Sequence, residues 1–270
     1  MERPRLVASD VDGTLLDPME RVTPRTRAAV DRVVAAEVPL VLVTGRPPRW
    51  IPAIIAALGH AGLAVCANGA VIYDAAADQV RHAITVDPLQ LRDAAAAVKI
   101  ALPDARLAVE RPGRAAAELA AEQFLAEQGY THPWPGGDSV AAPRDELLGR
   151  PATKLLVRQP GASSDLMAGA ISEVLGTALD VTFSTGQGLV ELSAPGVTKG
   201  SGLAIVADEL GIPAEDVVAF GDMPNDLPML RWAGCGVAMA NAHPTVLDAA
   251  DEITAPNSED GLALVLERWF

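Results

Sequence analysis

Hydrophobic positions near both ends of the chain come in short unbroken runs separated by helical spacings. Leu6 to Ala8 is apolar and leads to Asp10; Val38 to Val43 leads to Thr44-Gly45-Arg46; Leu63 to Ala67 leads to Asn68-Gly69. Thr23 followed by Pro24 predicts an N-cap and first helical position, opening a helix to about Ala36, and a second helix is expected over Ile51 to Leu58. The same grammar returns late in the chain. A helix over Lys199 to Leu210 is stopped by Gly211 and Pro213, and strands are expected over Val217 to Phe220 and Cys235 to Met239. An amphipathic helix over Ser258 to Trp269 closes the pattern. Strands that are apolar at every position are buried on both faces, which predicts a parallel sheet covered by helices.

The middle of the chain reads differently. It is rich in alanine, with helices expected over Leu89 to Leu102, Ala115 to Gln128 and Ser164 to Leu175. Shorter strand-like pieces lie at Arg106 to Glu110, Lys154 to Val157 and Val181 to Phe183, and Pro and Gly crowd Pro133 to Gly137 as a turn or loop. The expected fold class is therefore α/β: a parallel-sheet core made of residues 1–82 and 190–270, interrupted by an α+β insert over 83–189.

Composition narrows the partners. Half of the 270 residues are hydrophobic and 21% are charged, enough to bury a core. Lys plus Arg is 21 against 35 Asp plus Glu, a net charge of −14 that opposes nucleic acid and anionic membrane surfaces. Cys66 and Cys235 show neither a disulfide framework nor zinc spacing, and the four histidines are scattered. The N-terminus reaches Asp10 after only a short apolar run, so no signal peptide is expected. The apolar stretch Ala53 to Ala67 is broken by Gly59, His60 and Gly62 and falls short of the roughly 18 residues of a membrane span. A soluble, cytoplasmic protein is expected.

Candidate chemistry sits where the core strands end, the usual place for ligands in an open parallel sheet. If those strands are neighbours, Asp10, Asp12 and Asp222 converge, and their mutual repulsion calls for a hard cation; an all-oxygen set favours Mg²⁺. Lys199 falls in the first turn of a helix, just after the N-cap candidate Thr198, where the helix dipole disfavours a cation unless something anionic is held there. Thr44, Asn68 and the backbone N–H groups around Gly13 and Gly45 can donate to phosphate oxygens. Several of these residues have a second reading. Asp226 is either an N-cap for a helix from Leu227 or a group near the metal; Arg46 is either an ion-pair residue or a phosphate contact; Asn68-Gly69 is also a common turn pair.

The ordered set Asp10-Val11-Asp12-Gly13-Thr14-Leu15, Thr44-Gly45-Arg46, isolated Lys199, and Gly221-Asp222 through Asn225-Asp226 resembles the haloacid dehalogenase (HAD) superfamily. The acid two residues after Asp10 suggests its phosphatases. Asn68-Gly69, the position of the insert, and the passage from Val190-Glu191-Leu192 to Lys199-Gly200 resemble the Cof-type, class IIB capped branch. The resemblance spans nearly the whole chain. It implies a Rossmann-like core with an inserted cap domain that selects substrate, and a Mg²⁺-dependent phosphatase acting on small phosphorylated metabolites such as sugar phosphates. It further implies Asp10 as nucleophile and Asp12 as general acid and base. Mg²⁺ would be held by Asp10, the backbone carbonyl of Asp12 and Asp222. Thr44, Gly45, Lys199 and Asn225 would bind the phosphoryl group, and Asp226 would orient Lys199 or a metal-bound water. Two alternatives stay open: a phosphomutase or phosphotransferase of the same superfamily, and a catalytically idle sugar-phosphate-binding regulator.

Overall fold

The computed structural model describes residues 2–116, 118, 123–133 and 139–270. The chain divides into two compact units, Met1–Arg81 with Thr198–Phe270, and His82–Val197. From the N-terminus the first unit contributes β1 (Leu6–Ser9), β2 (Leu40–Val43), β3 (Leu63–Cys66), β4 (Val71–Asp74) and β5 (Gln79–Ala83). Helices Pro24–Ala35 and Ile51–Leu58 make the crossovers between β1, β2 and β3. The first starts as its sequence predicts: the Thr26 amide donates to the Thr23 side-chain oxygen at 3.1 Å, with Pro24 at the opening position.

The second unit supplies β6 (Arg106–Glu110), β7 (Phe124–Ala126), β8 (Val140–Ala141), β9 (Lys154–Arg158), β10 (Asp180–Thr182) and β11 (Leu189–Ser193), arranged in space as β10-β11-β9-β6-β7-β8. Its pairings are antiparallel except for the parallel β7–β8 edge. Helices Pro88–Ala101 and Ser164–Leu175 cover one face. There Leu91, Val98, Met167 and Ile171 pack on Leu107, Val109, Leu155, Val157, Val190 and Leu192. Alternation sends the intervening residues Ala108, Phe124, Ala126, Leu156 and Leu189 to the opposite face.

Two expectations fail in this unit. The helix expected over Ala115 to Gln128 is not continuous: residues 117 and 119–122 lie outside the described residues, and 124–126 are strand β7, registered with Ala108 opposite Ala126. The alanines that precede β7 carry helix propensity, but pairing with β6 buries Phe124 and Leu125 on opposite faces and overrides it. Residues 190–197, expected in the core, belong to this second unit, because β11 pairs antiparallel with both β9 and β10. The expected turn over Pro133 to Gly137 falls largely outside the described residues, Trp134 included.

The chain returns to the first unit at Thr198, adding helix Lys199–Glu209, β12 (Val217–Gly221), helix Leu227–Trp232, β13 (Cys235–Ala238), helix Pro244–Leu247, β14 (Glu252–Ile253) and helix Gly261–Leu266. The sheet order is β14-β13-β12-β1-β2-β3-β4-β5, parallel from β14 through β3 and antiparallel at β4. β4, β5 and β14 were not expected from the sequence pattern. Leu6, Val7 and Ala8 are wholly buried at the middle of the sheet, as the unbroken apolar run requires. On one face Leu6, Ala8, Val41, Val43, Val217 and Ala219 pack with Leu203, Val206 and Ala207 of the helix Lys199–Glu209. Burying each such Val or Leu contributes roughly 1.5–3 kcal/mol. No helix of the described residues is long and apolar enough to cross a membrane.

Candidate active site

The neighbouring parallel strands β12, β1, β2 and β3 end side by side, and each hands on to a polar residue, directly at Asp222, Asp10 and Thr44 and after Ala67 at Asn68. Asp10 follows β1 with its amide on the Phe220 carbonyl at 3.0 Å, and Thr44 follows β2 with its amide on the Val65 carbonyl at 2.8 Å. The ladder therefore holds these residues past the last strand position. After Asp10 the chain coils tightly: the Leu16 amide reaches back to the Val11 carbonyl at 3.0 Å, and Gly13 adopts φ +76°. A Cβ on Gly13 would sit 2.2 Å from an Asp222 carboxylate oxygen, so both the backbone angle and the space exclude other residues. Beside it, the Thr14 hydroxyl donates to Asp222 Oδ1 at 3.2 Å. Thr14 was given no role by the sequence, although it stands one residue past the glycine that brings the two loops together.

Lys199 lies at the centre of the charge cluster. The Thr198 side chain caps its helix, accepting from the Ser201 amide at 3.1 Å. Gly69, at φ +102°, lets the loop after β3 press against that helix start; a Cβ there would meet the Thr198 carbonyl at 2.0 Å. Held in this way and only 1% exposed, the Lys199 ammonium donates to Asp10 Oδ1 and Asp226 Oδ1, each at 2.6 Å. Asp226 does not cap the helix Leu227–Trp232 with its side chain. Its second oxygen instead accepts from the backbone amides of Asp222 and Met223, both at 2.9 Å, and so shapes the loop that presents Asp222.

Asp10, Asp222 and Asp226 each offer an oxygen within 4.8 Å of the others. Three buried carboxylates share one ammonium, and the ionisation of the cluster responds to that imbalance. Burial, with repulsion from Asp226, Asp222 and Asp12, pushes the Asp10 carboxyl well above the usual range despite Lys199. Burial and the nearby Asp226 push Asp222 up to about 7. Burial alone would lower the Lys199 ammonium, but Asp10 and Asp226 outweigh it and raise it. A compact, all-oxygen, over-negative donor set fits a hard divalent cation, and not a soft one.

The trio differs from the expected one. Asp12 was expected to converge with Asp10 and Asp222; its carboxylate instead turns to Arg46, which donates from Nε to Oδ2 at 2.9 Å and from Nη2 to Oδ1 at 2.5 Å. The Asp12 side chain remains 46% exposed, so a two-pronged guanidinium and solvent satisfy it without a place in the cluster. Arg46 is thereby an ion-pair residue, raised in pKa by Asp12 against the opposing effect of burial.

The remaining candidates lie alongside. The fully buried Thr44 side chain accepts from the Arg46 amide at 3.1 Å, with Gly45 between them. Asn68 adopts φ +56°, tolerated by asparagine, and its Oδ1 accepts from Asn225 Nδ2 at 3.0 Å. The Asn225 Oδ1 is buried and has no hydrogen-bond partner. Outside the site, His243 belongs to the start of helix Pro244–Leu247, and Lys154 is buried in the second unit against Glu191.

Comparison with known proteins agrees with this geometry. The family of haloacid dehalogenase-like hydrolases matches residues 7–266. A phosphoglycolate phosphatase of Methanothermobacter thermautotrophicus is 27% identical over 98% of this chain and 99% of its own. An HMP-PP phosphatase of Serratia proteamaculans is 28% identical over 98% and 95%. The 5-amino-6-(5-phospho-D-ribitylamino)uracil phosphatase YitU of Bacillus subtilis is 36% identical, but over only 46% of this chain and 47% of its own. Among solved structures, a haloacid dehalogenase-like hydrolase from B. subtilis superposes with a TM-score of 0.81 at 24% identity, covering 98% of this chain and 100% of its own. The subclass IIB sugar phosphatase BT4131 does so with a TM-score of 0.78 at 21% identity, covering 98% of each. With its sequence matched from the first core strand to the last helix, and its fold shared end to end, the chain belongs to the haloacid dehalogenase-like hydrolases, enzymes whose relatives matched here are named phosphatases.

Proposed function

We propose that this enzyme is a Mg²⁺-dependent phosphatase that hydrolyses small phosphorylated metabolites, sugar phosphates or similar monoesters, through an aspartyl-phosphate. The observation that carries the reading is the buried cluster in which Asp10 and Asp226 share the Lys199 ammonium and Asp222 brings a third carboxylate within 4.8 Å. Such a cluster is stable when a cation balances it and useful when an anion is to be drawn in. Asp10, Asp222 and the Asp12 carbonyl would hold Mg²⁺, which supplies neutralisation of charge on the transferring phosphoryl group. The relatives' named substrates, phosphoglycolate and a phosphoribitylamino-uracil among them, are small phosphate esters and support the substrate class.

The residues then divide the work. An Asp10 carboxylate oxygen attacks phosphorus in line, forming the aspartyl–phosphorus bond as the ester P–O bond breaks. Asp12, protonated and released from its pair with Arg46 when substrate is bound, would protonate the leaving oxygen, and in the second half would deprotonate the water that attacks phosphorus and frees Asp10 and inorganic phosphate. Lys199 keeps Asp10 aimed and meets the charge of the phosphoryl oxygens, with Thr44, the Gly45 backbone and Asn225 as further partners. The insert, His82–Val197, takes the part of the cap that selects the leaving group.

The test is phosphate release from p-nitrophenyl phosphate and a panel of sugar phosphates, with Mg²⁺ or with EDTA. Activity that disappears with EDTA, returns with Mg²⁺ and falls at least about a thousandfold in Asp10→Asn is expected. Full turnover by Asp10→Asn, or undiminished turnover in EDTA, overturns the mechanism.

A further inference from the structure

The loop after β1 carries Asp12, and it is held from the far side by residues with no assigned role. Asn241, in the exposed loop after β13, donates from Nδ2 to the Gly13 carbonyl at 2.9 Å. Its Oδ1 accepts from the Asn257 amide at 2.9 Å, and Asn257 in turn donates from Nδ2 to the Leu16 carbonyl at 2.7 Å. Two side-chain amides thus bridge two carbonyls of one coil, and each amide uses a donor to do it. A carbonyl that leaves the strand ladder needs such a donor to keep a fixed direction.

The anchor behind the bridge is firm. The Met239 amide is held on the Gly221 carbonyl at 3.1 Å and the Thr254 amide on the Ala238 carbonyl at 2.9 Å, so both supporting loops begin on the sheet. Asp260, three residues past Asn257, accepts from the hydroxyls of Thr23 at 2.5 Å and Thr26 at 3.3 Å. The bridge therefore joins a well-tied part of the core to the one coil whose backbone must point correctly for both Asp12 and the carbonyl beside it. The Gly13 carbonyl is one peptide away from the Asp12 carbonyl.

We infer that Asn241 and Asn257 are positioning residues that fix the direction of the 13–16 backbone, and through it the Asp12 carbonyl and carboxylate. The inference rests on the phosphatase reading for its effect on turnover, while its effect on metal binding is measured without substrate. Groups that orient metal ligands from outside typically change affinity or activity by about 10- to 100-fold when removed.

Three variants test it: Asn241→Ala, Asn241→Asp and Asn257→Ala. Asn241→Asp keeps the shape and the acceptor for the Asn257 amide but replaces the donor to Gly13 with a charged acceptor that repels that carbonyl, so it breaks that bond without opening space. The expected result in all three is a kcat lower by about 10-fold or more with KM within twofold, and Mg²⁺ affinity by titration calorimetry weaker by about 10-fold or more. Melting temperatures should fall by no more than about 4 °C per hydrogen bond removed, one in Asn257→Ala and two in Asn241→Ala, since each contributes only about 1 kcal/mol. Wild-type kcat and Mg²⁺ affinity in Asn241→Asp overturn the inference. So does a loss of activity that merely tracks a large fall in melting temperature, which would make the bridge a folding contact. A wild-type enzyme that binds Mg²⁺ but releases no phosphate from any substrate would sink the phosphatase reading instead, and the calorimetric comparison would still decide the positioning role.

Discussion

Both units bury charged side chains, and they balance them in opposite ways. In the second unit Glu110 and Glu191 are buried together with Lys154, Arg111 and Arg158. Lys154 lies directly across from Glu110 in the β6–β9 register and donates to Glu191 at 2.5 Å; the Ser184 hydroxyl takes the other Glu191 oxygen at 2.8 Å. In the first unit Asp10 and Asp226 both accept from Lys199, and Asp222 offers an oxygen within 4.8 Å of theirs. A buried carboxylate in a set where cations outnumber carboxylates, three to two in the second unit, is a closed structural element. One that must share a cation has its proton affinity raised, as Asp10 and Asp222 have, and is poised to take on a further positive charge. Burial and polarity are common to the two sites; only the imbalance separates a site of chemistry from a piece of architecture.

Removing the central cation should break the comparison most severely. Lys199→Met leaves three buried carboxylates with no ammonium among them, and loss of one partner from a buried pair costs about 3–5 kcal/mol. Urea unfolding of the metal-free variant should show at least that loss. Saturating Mg²⁺ should recover part of the stability, because the cation binds the same oxygens. It should not recover turnover, which falls by a further factor of about 10²–10³ for want of a donor to the phosphoryl oxygens. Equal stability of wild type and Lys199→Met without metal would mean the carboxylates are already neutral and the imbalance is not real.

The second unit should answer differently. Lys154→Met alone is expected to cost about 3–5 kcal/mol in urea unfolding, since it strands Glu191 at 2% exposure. Adding Glu191→Leu should recover most of that, because a hydrophobic replacement for a complete buried pair is often neutral. The corresponding pair, Lys199→Met with Asp226→Leu, should not recover catalysis, as Asp10 and Asp222 would remain without their ammonium. Failure of the Lys154 double variant to recover would show that the second unit's charges are not a self-contained set.

How much of this could be read from the residues alone follows from the same contrast. The core strands were legible because Leu6–Ala8 and Leu40–Val43 are apolar at every position, which only a sheet buried on both faces demands. Strand β7 was not. Three residues are too few to show a period of two, and the alanines before them read as helix. The membership of β11 is a matter of pairing partners, which no local pattern encodes. At the site, Asp10, Lys199 and Asp222 were legible because each stands at the end of a strand or the start of a helix, where backbone geometry determines position. Asp12 turning to Arg46 was not, because it depends on how close the guanidinium on the neighbouring strand end comes. Asp226 showed the same limit: its neighbours Asp222 and Met223 claim its carboxylate before the helix it precedes can.

The smallest effect is also the one that measures the imbalance itself. A carboxyl whose folded pKa is raised holds its proton in the native state after the unfolded chain has released it. Between the ordinary value of 3.8 and about 7 for Asp222, the native protein therefore binds more protons than the unfolded one, and stability falls as pH rises through that window. Asp17, Asp74 and Glu267 act oppositely, their pKa values lowered chiefly by hydrogen bonds to Arg21, to the Ala77 amide and to Arg25 respectively. Their contribution is present above the unfolded carboxylate values and is lost only as pH falls through the lower folded ones, so it does not obscure the range from pH 5 to 7. Metal-free protein should accordingly lose stability, by on the order of 1–3 kcal/mol, from pH 5 to pH 7.5 in urea titrations. Saturating Mg²⁺ competes with those protons, so the stabilisation it confers should grow over the same interval and flatten the slope. Asp222→Asn should flatten the metal-free slope as well. A metal-free slope of zero, or one that Asp222→Asn does not reduce, would put the excess negative charge somewhere other than this cluster.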